Sequence, residues 1–120
     1  MRESVFMDAS AWIALYDASD GNHTIATSKQ QRLLEERAFI HTSDYIFDEA
    51  ITRIRYSIGH PAAVHLGELI LNSRVVNLLN VSETIRHAAW QMFRRYHDKQ
   101  WSFTDCTSFV LMKTHRIQCF

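Results

Sequence analysis

The chain has 120 residues, 47% of them hydrophobic and 22% charged, and its 13 Lys and Arg are balanced by 13 Asp and Glu. That is the composition of an ordinary globular domain with one core, not of a disordered or fibrous chain, and a net charge of zero excludes a globally basic nucleic-acid binder: any electrostatic footprint is local. Two cysteines without metal-type spacing, three glycines and one proline argue against a disulfide framework, a zinc motif, a Gly-rich phosphate loop and a linker.

Residues 4–7 (SVFM) read as a short buried strand, followed by Asp8, with Ser10 as the expected cap of a helix over 11–16. The stretch DASDGNH (17–23) is a loop, and Asn22 is a fitting N-cap for a helix over 23–37. A second strand is expected at 38–41. Thr42, Ser43 and Asp44 are cap-type residues before a helix over 44–58, whose Ile46, Phe47, Ala50, Ile51, Ile54 and Ile58 recur at helical spacing. Gly59 ends that helix and Pro61 opens the next, to residue 71. Further on come a strand at 75–78, a helix from Ser82 to residue 97, a loop at 98–102, a helix over 104–115 and a final strand at 116–120. Short apolar strands separated by helices predict an α/β domain over 1–120 with a parallel sheet covered on both faces. No apolar run reaches the ~20 residues of a membrane span and no signal-peptide pattern opens the chain, so no membrane is expected and the cytoplasm is the default compartment.

In open α/β sheets ligands bind at the carboxyl ends of the strands. Asp8 lies at the end of strand one, Glu49 one to two turns into the helix after strand two, and Asp105 at the start of the last helix. Three carboxylates brought within ~4–6 Å repel, and a hard divalent cation removes that penalty. Each acid also has a plain structural reading. Asp8 suits a helix N-terminus, Glu49 an i,i+4 pair with Arg53, and Asp105 the capping box Ser102-x-x-Asp105. Cys106 reads as a small core hydrophobe. The histidines lack metal-ligand spacing and HExxH is absent, which disfavours zinc hydrolase chemistry.

Three blocks in order, VFMDASAWIALYDASDGNH, TSDYIFDEAITRIR and YHDKQWSFTDCTSFVLMKTHRI, resemble the PIN domain, most closely the VapC-type toxin ribonucleases and their bacterial relatives. The resemblance implies a three-layer α/β/α fold with a central parallel sheet. It also implies RNA cleavage dependent on Mg²⁺ or Mn²⁺, in-line hydrolysis leaving a 5′-phosphate and a 3′-hydroxyl. Asp8, Glu49 and Asp105 match the family's catalytic, metal-holding acids. Thr104 (or Ser102) matches a hydroxyl beside the metal, Ser10 a residue of the first motif, and Asp98 a supporting acid before the SFTD block. His23 matches the Asp20-x-x-His23 loop pattern and reads as a helix-start packing residue. The family's fourth acid usually follows the last core strand. The sequence stops at Phe120, so the usual C-terminal segment is expected to be lacking and a second metal site weakened.

For RNA binding, Arg53 and Arg55 on the Glu49 helix, Lys99 and Trp101 before Asp105, and Arg94 and Arg95 are candidates, Trp101 as a base-stacking ring; solvated charges and packing are their plain alternatives. A small toxin of this kind implies a short VapB-like antitoxin, its C-terminal segment across the acidic rim, and a homodimer or toxin–antitoxin hetero-oligomer. Trp12, Ile13 and Tyr16 are candidates for such an interface, or for the core. Two other readings stand beside the toxin: a housekeeping PIN nuclease in RNA processing, and a catalytically inactive PIN-like interaction module.

Overall fold

The structure is a computed structural model that describes residues 2–120. Among the described residues four strands, β1 (Ser4–Phe6), β2 (Phe39–Ser43), β3 (Val76–Leu79) and β4 (Gln118–Cys119), form one sheet in the order β3-β2-β1-β4, every pairing parallel. Six helices connect them: α1 (Ala9–Tyr16), α2 (His23–Glu35), α3 (Asp44–Ser57), α4 (His60–Leu71), α5 (Glu83–Arg95) and α6 (Phe103–His115). The result is the three-layer α/β/α arrangement expected from the sequence.

The central strand β1 is apolar at successive positions because helices cover both of its faces. Val5, Phe6 and Met7 are all buried, and they pack with Ile40 of β2, Ile46 and Ile54 of α3, Leu66 and Ile70 of α4, and Leu111 of α6. Gly67 faces α3, where a Cβ would meet Ile51 at 3.4 Å and Phe47 at 3.5 Å, ordinary van der Waals contact. Trp12 and Ile13, candidates for an interface, are buried core residues, whereas Tyr16 is half-buried and its hydroxyl lies 3.0 Å from His65 Nδ1.

Three local expectations are corrected. Helix α1 starts at Ala9, so Ser10 is inside it and exposed; Asp8 is the N-cap, its Oδ1 accepting from the Ala11 N–H at 2.9 Å. Strand β2 runs on through Thr42 and Ser43, because both pair with β3, at Leu78 and Leu79. The last strand shrinks to two residues, with Arg116 left-handed (φ 55°) as the α6 C-cap and Ile117 buried between the two elements.

Candidate active site

All strands run parallel, so the helices that follow β1 and β2 begin at the same edge of the sheet. Asp8 follows β1 directly, and Met7 N–H donates to the His41 carbonyl at 2.8 Å, locking the end of β1 to β2. Thr42 adds a buried latch. Its hydroxyl donates to the Met7 carbonyl at 2.9 Å and accepts from the Trp12 indole N–H at 3.0 Å, tying β1, β2 and α1 together beside Asp8. Thr42 and Ser43 are fully buried, and a buried hydroxyl is tolerated only when paired. Ser43 meets that condition by capping α3, its Oγ accepting from Ile46 N–H at 3.1 Å.

Asp44 Oδ1 accepts from Tyr45 N–H at 2.9 Å and from Val81 N–H at 3.0 Å, joining the start of α3 to the chain leaving β3. Asp44, Tyr45 and Asp48 form one wall of a shallow cleft of about 340 Å³, with Thr104 of α6 on the other side. The N-terminus of α6 therefore stands against the first turns of α3, which also carry Glu49. Ser102 and Asp105 form the capping box read from sequence: Asp105 N–H donates to Ser102 Oγ at 3.0 Å, and Ser102 N–H donates to Asp105 Oδ2 at 2.9 Å.

Asp8 and Asp105 thus each hold a helix N-terminus with one carboxylate oxygen, which leaves the second oxygen outside the cap. Glu49 Oε2 lies 3.5 Å from Arg53 Nη1, the i,i+4 pair foreseen as its plain role, on a half-exposed stretch of helix. Among the described residues no three His, Cys, Asp or Glu side chains are gathered closely enough to hold one metal ion. In donor type the three acids fit a hard divalent cation, and their backbones share one edge of the sheet. In side-chain arrangement they are held by caps and by Arg53 rather than converged.

The other predicted residues are placed as follows. Thr104 is half-buried in the cleft wall, and its carbonyl accepts from the Thr107 hydroxyl at 2.7 Å. Asp98 and Lys99 are exposed in the loop before α6. Trp101 is half-buried against Tyr96 and Phe109, at 5.4 and 4.9 Å between ring centroids. His23 Nδ1 lies 2.8 Å from the Ala14 carbonyl and packs the start of α2. The Cys106 thiol is buried, and burial first and the Asp105 charge second push its pKa up, the wrong direction for a nucleophile. Cys119, on β4, is pushed up in the same way by burial and then by Asp8, against the pull of Lys29.

Thr42 and Asp48 lie beyond the predicted set. Thr42 looked like one cap residue among three, and only the length of β2 made it a latch. Asp48 has a visible signal, four residues after Asp44 and next to Glu49, which puts it on the face of α3 that meets α6.

Residues 5–120 match the sequence profile of the PIN domain. The chain is 33% identical over 115 residues to the 23S rRNA-specific endonuclease VapC20 of Mycobacterium tuberculosis, in strains CDC 1551 / Oshkosh and ATCC 25618 / H37Rv, covering 95% of this chain and 84% of that protein. The crystal structure of M. tuberculosis VapC20, described as a sarcin-ricin loop cleaving toxin, superposes with a TM-score of 0.84 at 33% identity, over 96% of this chain and 85% of that one.

Proposed function

The chain belongs to the PIN domain family, and on that premise we propose that it is a metal-dependent endoribonuclease of the toxin–antitoxin type. What supports the reading is topology: Asp8 follows β1, Glu49 lies on the helix after β2 and Asp105 opens the helix before β4, so all three lie on elements at the carboxyl edge of the parallel sheet, and Asp8 and Asp105 sit at helix N-termini, which are positive. Asp8, Asp105 and Glu49 are the residues that would hold Mg²⁺ or Mn²⁺. A cation of that kind, when bound, supplies positive charge opposite the scissile phosphate and makes hydroxide available at neutral pH.

The chain's own contribution is placement. Thr42 fixes the backbone at Asp8, the capping box fixes it at Asp105, and Asp44 fixes the start of α3. Ser10 and Thr104 stand beside these acids in sequence as supporting groups, and Asp98 supports the loop ahead of α6. Arg53 and Lys99 offer charge to the RNA backbone, and Trp101 a ring edge. Water attacks phosphorus in line and the 3′ oxygen leaves, giving a 5′-phosphate and a 3′-hydroxyl. The named relative acts on 23S rRNA, so the first substrate to try is that rRNA. A short VapB-like antitoxin, lying across the acidic edge with an Arg among the carboxylates, is the proposed partner.

That no three-ligand cluster is gathered among the described residues motivates a second reading, an inactive module that binds RNA or protein without cutting. One experiment separates the two. The purified chain and Asp8→Asn are incubated with ribosomal RNA and Mg²⁺, Mn²⁺ or EDTA, and the products are mapped. Site-specific cuts that need the cation and vanish in the variant establish the nuclease; an intact substrate under every condition selects the module.

A further inference from the structure

We propose that the groove between α5 and the N-terminus of α6 is a base-binding subsite for RNA, with Trp90 as the stacking platform for an unpaired base and Arg86 as the contact to the adjoining phosphate. The proposal rests on the ribonuclease reading above and assigns part of its substrate contact.

Helix α5 has an unusual exposure. Ala89 is its only buried residue, while Trp90 is 48% and Phe93 39% exposed. Large aromatic rings left in water on one helix face signal a contact surface. The rings are also pre-set. Trp90 and Phe93 stack at 5.8 Å with 23° between planes, and Phe103 meets them edge-on at 6.2 and 6.1 Å. A platform fixed by its neighbours loses little entropy when a base lands on it.

The groove has a volume of about 620 Å³ and is lined by Glu83, Thr84, Arg86, His87, Trp90 and Phe103. Residues 83, 86, 87 and 90 share one helix face, so a cation and an aromatic ring line the same channel, the combination that holds single-stranded nucleic acid. Charge agrees. Residues 83–101 carry four Arg or Lys against two acids, in a chain whose net charge is zero. Glu83, the one acid in the lining, opposes this from one turn before Arg86.

The groove neighbours the cleft between α3 and α6. Phe103 lines it and packs on Tyr45 at 6.3 Å, and Tyr45 with Thr104, the next residue after Phe103, lines the cleft beside Asp44 and Asp48. The Phe103–Tyr45 contact is the ridge between that cleft and the Trp90 groove. Trp101 also has two aromatic neighbours, Tyr96 and Phe109, but it is half-buried where Trp90 is exposed.

The test uses the full chain, a labelled RNA hairpin with an unpaired loop, and a blunt duplex of the same composition. Affinity is read in EDTA and cleavage of ribosomal RNA with Mn²⁺. The expected result is that Trp90→Ala weakens hairpin binding roughly ten-fold or more and duplex binding much less, while Trp90→Phe keeps most of the affinity. Arg86→Ala lowers affinity and reduces the slope of log affinity against log salt by about one contact's worth. If the wild-type chain cuts rRNA and binds the hairpin, and Trp90→Ala and Arg86→Ala do so equally well, the subsite is wrong and the ribonuclease reading stands. If the wild-type chain neither binds nor cuts any RNA, both fall. If Trp90→Ala instead dissociates an oligomer in light scattering with affinity per chain unchanged, the face is a protein interface and the subsite is overturned.

Discussion

Asp8 has two carboxylate oxygens with different assignments. One holds the N-terminus of α1 through Ala11 N–H, and the other is the donor proposed for a cation. Asparagine caps a helix about as well as aspartate but ligates a hard cation poorly. Asp8→Asn is therefore expected to leave stability within ~0.5 kcal/mol of wild type while cleavage falls ~100-fold or more. Asp8→Ala loses the cap as well and costs about 1 kcal/mol in chemical denaturation. His41 gives a second residue-scale prediction. Burial first and the His115 charge second lower its pKa from 6.5, and with its Nδ1 unprotonated the Asn77 amide donates to it at 3.2 Å. The unfolded chain then binds the proton more readily than the fold. This contribution to stability is complete above pH ~6.5 and is lost as pH falls through the lower folded value. Melting temperature should therefore drop on going from pH 7.5 to 5.5, and His41→Asn should flatten that slope. The sequence marked Asp8 as anomalous, but it could not tell that Ser10, two residues on, was already inside the helix. Both are good caps, and the choice is made by where β1 ends against β2.

Elements at this edge are joined by hydrogen bonds of high sequence separation, and these were the hardest to foresee. Caps at Ser43, Ser82 and Ser102 follow from local sequence, because a side-chain hydroxyl meeting an N–H two or three residues on needs no other part of the chain. The Thr42 latch spans 35 residues to Met7 and 30 to Trp12, and the Asp44 bond spans 37 to Val81. Thr42→Val keeps the shape but strands the Trp12 indole N–H and removes the donor to the Met7 carbonyl. It should cost about 1–3 kcal/mol, measured by urea unfolding, and lower cleavage by more than that loss of folded protein explains. Ser102→Ala breaks one half of the α6 capping box. It should cost about 1 kcal/mol and loosen the helix that presents Asp105, seen as faster amide exchange over 103–106.

For the whole molecule the test is linkage to the cation. Anything that binds only the folded chain raises its stability, by about 2.7 kcal/mol at a hundred times Kd. Mn²⁺ should accordingly raise the melting temperature of the wild-type chain and not that of Asp8→Asn, and EDTA should abolish both the shift and the cutting. An inactive module would show neither. Among the described residues no helix is long and apolar enough to cross a membrane, in line with the lack of any long apolar run.

The sequence by itself determined the succession of strands and helices, the parallel sheet, most of the caps, and the family to which the three acid-bearing blocks point. All of these depend on residues near one another in the chain or on the periodicity of apolar positions. Tertiary structure decided that β2 continues to Ser43, that Trp101 is half-buried while Trp90 is exposed, and that Asp48 and Thr104 share a cleft. It also decided that Asp8, Glu49 and Asp105 lie on elements at one edge of the sheet without forming, among the described residues, a three-ligand cluster. The distance between two carboxylates separated by dozens of residues is set by how the strands register and how the helices pack on them, and no local pattern encodes that distance.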